Sequence, residues 1–296
     1  MRRAALALLA VAALAGAGCG GGEDNDESAT QLLERGFASD VDTGVFTMVA
    51  EVELDGGPAD GPFRLELEGP FRAAGSPTEM PDLDLTFRAS GAGREYEGRA
   101  TVTRENAWVE FEGETYEVGE ELWAQLLEAL EQPQPGQPET LEEAGVDPMD
   151  WVEGLEEDGE ERVGGVPATK VTGTIDIEAV LRDFDRLAGR RGIPEDVLDQ
   201  ASDVVDDVEF DTWIDANDVW RRIAAETEFS VPEDQRDAAG GLEGGSVSLD
   251  MTLDDPNEPV EIEGPAEARP IDELLRSLGV PPELLLGPGF AQPAPG

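Results

Sequence analysis

The chain has 296 residues, and its 20 Lys and Arg against 68 Asp and Glu give a formal net charge of −48. So acidic a chain has little with which to build the basic surface that a phosphate backbone requires, which excludes nucleic acid as a direct partner. The chain has no histidine and one cysteine. This inventory excludes a Ser-His-Asp or Cys-His nucleophile, a conventional zinc site and an internal disulfide. The length accommodates one large domain or two ordinary ones.

The N-terminal segment has the pattern of a signal peptide that ends in a cysteine. Two arginines precede an uncharged apolar run from Ala4 to Ala17, and Gly18 and Cys19 follow it. About 14 residues at about 1.5 Å each are too short to span a hydrocarbon layer of about 30 Å, so the run is a signal-peptide core. The segment resembles a bacterial lipoprotein signal, in which the cysteine is diacylated and becomes the first mature residue. An ordinary signal peptide with a chance cysteine is the alternative.

The chain is predicted to have four parts. Residues 1–18 form the signal peptide, and residues 19–29 comprise the acylated Cys19 and an acidic, glycine-rich tether without apolar periodicity. Residues 30–263 form the folded domain. Residues 264–296 form a C-terminal helix, over 272–278, and a tail rich in proline and glycine.

Alternation of apolar and polar residues predicts the strands of this domain. It is clearest over 63–68, 83–89, 96–102 and 247–253, and turn sequences rich in Gly and Pro separate the first strands into an antiparallel meander. Further strands are predicted over 43–54, 107–111, 115–118, 161–163, 168–176, 208–215 and 219–229.

Helical spacing of apolar residues predicts helices that interrupt the strands. They cover 30–37, 120–130, 147–155, 177–187 and 194–205, with Asp147 as the N-cap of the third and Pro148 at its first position. The pattern is that of an α+β fold with one long antiparallel sheet and helices between its two halves. An open sheet of about eight to ten strands curls, and its concave face must then be filled by side chains, covered by helices or occupied by a ligand.

The order of these motifs resembles the LppX/LprG family of actinobacterial lipoproteins. The likeness lies in the lipobox, the tether, the leading helix, the meander, a Gly-containing strand that ends at Asp176, and a Trp213-Ile214-Asp215 strand that turns tightly into one carrying Arg221 and Arg222. The resemblance implies a half-barrel like that of LolA and LolB, a single curved sheet whose concave face is covered by helices around a cavity for acyl chains. It also implies a monomeric, lipid-anchored protein on the extracytoplasmic face of the cell membrane that carries acylated lipids or lipoglycans.

The residues expected to line this cavity are apolar positions of the alternating strands and one helical leucine. They are Phe46, Met48, Val52, Phe63, Leu65, Leu67, Leu83, Leu85, Phe87, Val102, Leu126, Val171, Ile175, Leu249 and Met251. The stripe alone is what any half-buried sheet has, so a packed core stays an alternative for it. No cofactor, metal or catalytic residue is expected, because the chain lacks the usual nucleophile and base.

A second function class therefore stays open beside the lipid carrier. A structural or interaction lipoprotein would have a filled core and an acidic surface that binds cations or envelope partners. The acidic segments 40–44 and 211–218 lack the spaced ligands and terminal Glu of a calcium loop and are interpreted as turns. We expect Trp213 to pack on the exposed face of its strand, and Arg221 and Arg222 to pair with carboxylates on adjacent strands.

Overall fold

The computed structural model describes residues 28–58, 61–76, 79–131, 145–187, 204–205, 208–237 and 239–278. Its strands are β1 (Thr43–Gly56), β2 (Gly61–Arg72), β3 (Asp82–Gly91), β4 (Arg94–Val102), β5 (Ala107–Phe111), β6 (Glu114–Glu117), β7 (Val152–Val163), β8 (Val166–Ile175), β9 (Val208–Asp215), β10 (Trp220–Ser230), β11 (Leu242–Asp254) and β12 (Arg269–Pro270). Its helices are α1 (Ala29–Ala38), α2 (Glu120–Glu131), a 3-10 helix (Pro148–Trp151), α3 (Ile177–Leu187) and α4 (Ile271–Leu278).

All twelve strands form one sheet in the order β12-β6-β5-β4-β3-β2-β1-β11-β10-β9-β8-β7. The strands β1 to β6 lie side by side in chain order, as do β7 to β11, and the two series join where β1 pairs antiparallel with β11. Every neighbouring pair is antiparallel except β12, which runs parallel to β6 over two residues. The outermost strands are β12 and β7, so the sheet is open. This architecture confirms the predicted α+β class with a half-barrel sheet.

The strand register places the alternating apolar residues on one face of the sheet, here called the apolar face. Across the central strands, Ala50 of β1 is paired with Leu65 of β2 on one side and with Leu249 of β11 on the other. Met48 is likewise paired with Leu67 and with Met251. The intervening residues, including Arg64 and Glu66, lie on the other face, here called the polar face. Because the side-chain period of a strand is two, a slip by one residue would exchange the two faces, so this pattern fixes the register.

The main hydrophobic core lies between α1 and the apolar face. Ser28 caps α1 by accepting a hydrogen bond from the Gln31 backbone N–H at 3.3 Å. The helix approaches β9 so closely that a Cβ at Gly36 would lie 2.7 Å from Ile214 Cδ1. Buried residues of α1, β1 and β8 to β11 form this core: Ala29, Leu32, Leu33, Ala50, Val171, Phe210, Ile214, Ile223, Leu249 and Met251.

The C-terminal segment crosses the polar face and returns on the apolar face. After β11, Asn257 donates its backbone N–H to the Thr43 carbonyl, and its side-chain oxygen accepts from the Asp42 N–H. Further along, Arg72 Nη2 donates to the Val260 carbonyl at 2.9 Å, and Gly264 lies over the Trp108 ring. The chain then adds β12 to the sheet edge and folds α4 onto the apolar side of β5 and β6. The C-terminal helix is therefore packed on the same sheet.

The strand β7 is the largest departure from the predicted elements. The sequence predicts a helix over 147–155 and a strand of three residues over 161–163, whereas the structure has a 3-10 helix of four residues and then twelve residues of strand. The predicted cap is correct, since Asp147 accepts a hydrogen bond from the Met149 N–H. Alternation is lost in β7 because the register shifts twice, after Glu153 and after Glu157. The predicted helix over 194–205 lies almost entirely outside the described residues.

Candidate functional site

Six apolar residues of β2, β3 and β4 form a surface that we call the apolar strip. The cross-strand register puts them side by side on the apolar face, and each keeps part of its side chain exposed to solvent: Phe63, Leu67, Leu83, Leu85, Phe87 and Val102. None of the six belongs to the hydrophobic clusters under α1 and α4 that the described residues form. The strip is therefore apolar surface of the sheet that the described helices leave partly uncovered.

Packed helices border the apolar strip on both sides. On the β1 side lies the core under α1, and Phe46, Met48 and Leu65 pack against the edge of that core. On the β5 side lies α4, whose Ile271, Leu274 and Leu275 are buried against Val109, Phe111, Tyr116 and Leu122. Neighbouring strands are about 4.8 Å apart, so β1 and β5 are about 19 Å apart across four spacings. Within the described residues this width leaves a space between α1 and α4, here called the trough, whose floor is the strip.

Two phenylalanine rings of the strip lie against glycines on the neighbouring strands. Phe87 is paired with Gly98, where an added Cβ would come within 2.4 Å of the ring Cζ. A Cβ at Gly91 would come within 2.2 Å of the Phe63 ring, and its three nearest atoms all belong to that ring. An aromatic ring laid over a cross-strand glycine covers backbone that would otherwise be exposed.

The structure divides the predicted cavity-lining residues into four groups. Val171, Leu249 and Met251 are buried within the core under α1, and Ile175 packs against that core. Phe46, Met48 and Leu65 lie between the core and the strip. Six residues form the strip itself, and Val52 on β1 and Leu126 on α2 are also partly exposed. That these side chains contact a lipid stays a prediction.

The sequence reasoning missed the aromatic residues at the β5 side of the trough. Tyr96 is 43% exposed, and its ring stacks on Phe111 with centroids 6.4 Å apart and an interplanar angle of 24°. Arg94 Nη1 lies 3.4 Å from the Tyr96 hydroxyl. The alternation through 96–102 contained the signal for Tyr96, but the contact with Phe111 depends on the pairing of β4 with β5.

Ion pairs cover much of the polar face. Arg99 donates from Nε to Asp84 Oδ1 and from Nη2 to Asp84 Oδ2, and this hydrogen bonding raises the pKa of Arg99. Hydrogen bonds from Arg64 similarly lower the pKa of Glu66 below its ordinary value, with Arg64 Nε to Glu66 Oε1 at 2.8 Å. Such pairs on exposed strands contribute little to stability individually, but they occupy the few cations of a very acidic chain.

The predicted pairing of Arg222 with a carboxylate on an adjacent strand is confirmed, and Trp213 packs beside it on the polar face, where it is buried at 4% exposure. Trp213 donates its indole N–H to Glu161 at 3.0 Å and lies between Lys170 and Arg222, whose charged groups are 5.4 and 4.6 Å from the ring centroid. Arg222 Nε donates to Asp250 at 2.9 Å. Packing on the polar face is therefore the role of Trp213.

Arg221 and Asp215 form a buried pair with 3.8 Å between Nη1 and Oδ2. Asp215 also accepts hydrogen bonds from the backbone N–H groups of Asn217 and Val219 in the following turn.

The described residues contain no cluster of three or more His, Cys, Asp or Glu side chains that could hold a metal ion. Within that same part of the chain, no helix is both long enough and apolar enough to cross a membrane.

No family model and no curated protein matches the chain. Among solved structures, it is similar to the lipoprotein LppX of Mycobacterium tuberculosis, at 13% identity and a TM-score of 0.40, over 79% of this chain and 98% of that one. It is also similar to LprF of Mycobacterium bovis, at 17% identity and a TM-score of 0.41, over 81% of this chain and 97% of that one. A third match is a putative outer membrane lipoprotein-sorting protein domain of Vibrio parahaemolyticus, at 6% identity and a TM-score of 0.17, over 74% of this chain and 87% of that one.

The first two matches carry the names of the lipoprotein group that the sequence resembles. The predicted LppX/LprG-type fold is confirmed as a likeness of fold. At these low identities and TM-scores, the likeness extends to nothing beyond the fold.

Proposed function

We propose that this protein is a membrane-anchored extracytoplasmic lipoprotein that carries acylated lipids, with their acyl chains lying along the apolar strip. The observation that supports the proposal is the partly exposed row of large apolar side chains between two packed helices. A folded protein gains free energy by burying such side chains, at about 25 cal/mol for each Å² removed from water. A contiguous apolar surface that the described part of a chain leaves partly accessible is typical of a binding site.

Carriage requires no bond chemistry. Acyl chains would be desolvated against the floor of the trough, which includes the rings of Phe63 and Phe87. The absence of histidine from the chain removes the commonest general base, which is consistent with a carrier that does not catalyse.

The lipid content of the purified protein tests this function. The Cys19→Ser variant has no covalent acyl chains, so any lipid extracted from it with organic solvent is bound without a covalent bond. We expect mass spectrometry of the extract to identify an acylated lipid in a near-stoichiometric amount. A folded variant whose extract contains no lipid, and which binds no fluorescent acyl probe, would refute the proposal.

The anchor is a separate part of the proposal, because Cys19 lies outside the described residues. One acyl chain gives only marginal membrane binding, at about 0.8 kcal/mol per buried CH₂, whereas two or three chains on one cysteine anchor a protein stably. We expect the wild-type protein to enter the detergent phase in a phase-partition assay, and the Cys19→Ser variant either to keep its signal peptide uncleaved or to stay in the aqueous phase. Equal partitioning of wild type and a Cys19→Ser product whose signal peptide has been removed would exclude lipidation at this residue.

The alternative function is that of a structural or interaction lipoprotein with an acidic binding surface. Two recesses formed by the described residues, of about 580 and 180 Å³, have mostly polar-face residues around them rather than the apolar strip. This placement favours contacts of the polar face with envelope partners. This alternative would be favoured if the protein binds no acyl probe and if substitutions in the strip lower the free energy of unfolding as much as substitutions in a packed core do.

A further inference from the structure

The residues that follow α4 are unusually apolar for this chain. We call residues 279–296 the C-terminal tail. Its one charged residue is Glu283, whereas 30% of the whole chain is charged. It contains three successive leucines, Leu284 to Leu286, and then Phe290. Removing such side chains from water is favourable by about 25 cal/mol per Å², so the tail gains free energy when it binds an apolar surface.

The helix α4, from which the C-terminal tail continues, lies beside the apolar strip. Its buried residues pack against Val109 on the apolar side of β5. Val109 is paired with Ala100 of β4, which is paired in turn with Leu85 in the middle of the strip. The strand under α4 is therefore two spacings, or about 10 Å, from the middle of the strip.

The C-terminal tail is long enough to reach the strip. Leu284 lies six residues beyond Leu278, the last residue of α4. An extended chain advances about 3.3 Å per residue, so these six residues can span up to about 20 Å. The strip itself is about 10 Å wide from β2 to β4 and about 13 Å long from Leu83 to Phe87. The leucines and Phe290 can therefore lie on the strip while α4 stays packed.

The two other long segments that follow Cys19 and lie outside the described residues match the strip less well. Residues 188–203 contain six charged side chains, and residues 132–144 contain a single leucine, Leu141, next to two glutamates. The six residues of the strip are all uncharged. A charged side chain brought onto this surface would lose hydration without gaining a partner. The nearly uncharged C-terminal tail is the segment whose composition suits the strip.

We propose that the C-terminal tail covers the apolar strip in the lipid-free protein and that an acyl chain displaces it. Displacement rests on the proposed function, whereas docking of the tail does not. The docked leucines shield an apolar patch that would otherwise promote association between molecules. The tail also sets the apparent affinity for lipid, because lipid binds only those molecules whose strip is free.

Disulfide trapping tests the docking without any lipid. Cys19 is the only cysteine of the chain, so two cysteines introduced into the Cys19→Ser chain have only each other as partners. Leu85→Cys would be combined in turn with Leu284→Cys, Leu285→Cys and Leu286→Cys, and each delipidated protein would be mildly oxidised. A disulfide requires Cβ atoms about 3.5 to 4.5 Å apart. We expect at least one of the three pairs to form an intramolecular disulfide.

The neighbouring residue on β3 provides the matched control. Thr86 is exposed on the polar face, so Thr86→Cys combined with the same three tail substitutions should stay reduced. Leu85→Cys combined with Val197→Cys tests residues 188–203 as the cover. A disulfide to Val197→Cys and to none of the tail positions would overturn the proposal. Disulfide-linked dimers in place of the intramolecular bond would also overturn it, because they would assign the strip to a second copy.

Substitutions in the C-terminal tail test the displacement. The probe is a phosphatidylcholine with one fluorescently labelled acyl chain, bound to the delipidated Cys19→Ser chain. Replacing all three leucines, 284 to 286, by serine should lower the Kd about tenfold if the tail covers the strip in about 90% of molecules. The control variant Ala291→Ser, Ala294→Ser changes the same tail without removing a large apolar side chain, and should leave the Kd nearly unchanged.

The outcomes separate this proposal from the proposed function. If Leu85→Cys forms a disulfide with none of the three tail positions, the proposal is wrong and the carrier function stands. If a disulfide forms but the serine variant binds the probe no more tightly than the control, the tail does not compete with acyl chains and the proposal is again wrong. If a disulfide forms and none of the proteins binds the probe, the tail docks as proposed and the carrier function fails.

Discussion

Replacement of Leu85 by tryptophan distinguishes an accessible strip from a packed core. Leu85 lies on β3 in the middle of the apolar strip and is partly exposed, so an indole in its place has room to extend into the trough. Leu253 provides the matched control, since it lies on the same face in β11, pairs with Phe46 and is 0% exposed.

The expected free energies of unfolding differ clearly between the two sites. Inserting extra volume into a full core typically costs about 1 to 3 kcal/mol, so Leu253→Trp should lose at least that much. Leu85→Trp should lose less than about 1 kcal/mol, because part of the larger side chain stays in the trough. Truncation should agree: Leu253→Ala should cost about 2 to 5 kcal/mol, and Leu85→Ala should fall at or below the lower end of that range.

Denaturant unfolding of delipidated protein measures these differences. Bound lipid must be removed first, because a ligand that binds only the folded state adds stability by mass action. The same Leu85→Trp protein should lose affinity for a fluorescent acyl probe, since the indole occupies the volume of the chain. If Leu85→Trp costs as much stability as Leu253→Trp, the strip is packed core and the reasoning is refuted.

Four further outcomes follow from the structure. Gly91→Ala should destabilise the protein by about 1 to 3 kcal/mol, and adding Phe63→Ala should reduce that penalty in a double-mutant cycle, because the three atoms nearest to the new methyl group all belong to that ring. Asp215→Ala should cost about 3 to 5 kcal/mol in denaturant unfolding, since it leaves a buried guanidinium without its carboxylate, and a loss below 1 kcal/mol would contradict the pair's importance. Glu66 has a lowered pKa because of Arg64, so the stability difference between wild type and Glu66→Gln should be present above pH 4.5 and disappear as the pH falls through the folded-state pKa below it. The melting temperature should rise with NaCl up to about 0.5 M, because screening relieves self-repulsion; a flat response would indicate local neutralisation by pairs or cations.

Period-two alternation was sufficient to predict most of the sheet. The strand β9 has the predicted bounds, and β3, β4 and β11 contain the predicted segments, because each has one buried face and one wet face. Period-two alternation did not predict β7, which is an acidic edge strand with positive φ at Gly154 and Gly159. Charged residues protect an edge strand from pairing with other chains, and the same charges remove the apolar signal.

The candidate site was predictable as a face of the sheet and not as an accessible surface. Alternation put Leu85 and Leu249 on equivalent positions, yet Leu249 is buried under α1 and Leu85 is partly exposed. The difference depends on where α1 and α4 pack, and that placement follows from contacts between residues far apart in the chain.

Photocrosslinking tests the central claim most directly. A lipid with a photoreactive group in its acyl chain would be bound to the delipidated Cys19→Ser chain and irradiated, and the modified residues would be located by peptide mass spectrometry. We expect the modified residues to lie in the apolar strip, above all at Leu67, Leu85, Phe87 and Val102. An excess of unlabelled lipid should abolish the modification. Modification spread over the polar face, or a yield that unlabelled lipid does not reduce, would contradict acyl-chain binding on the strip.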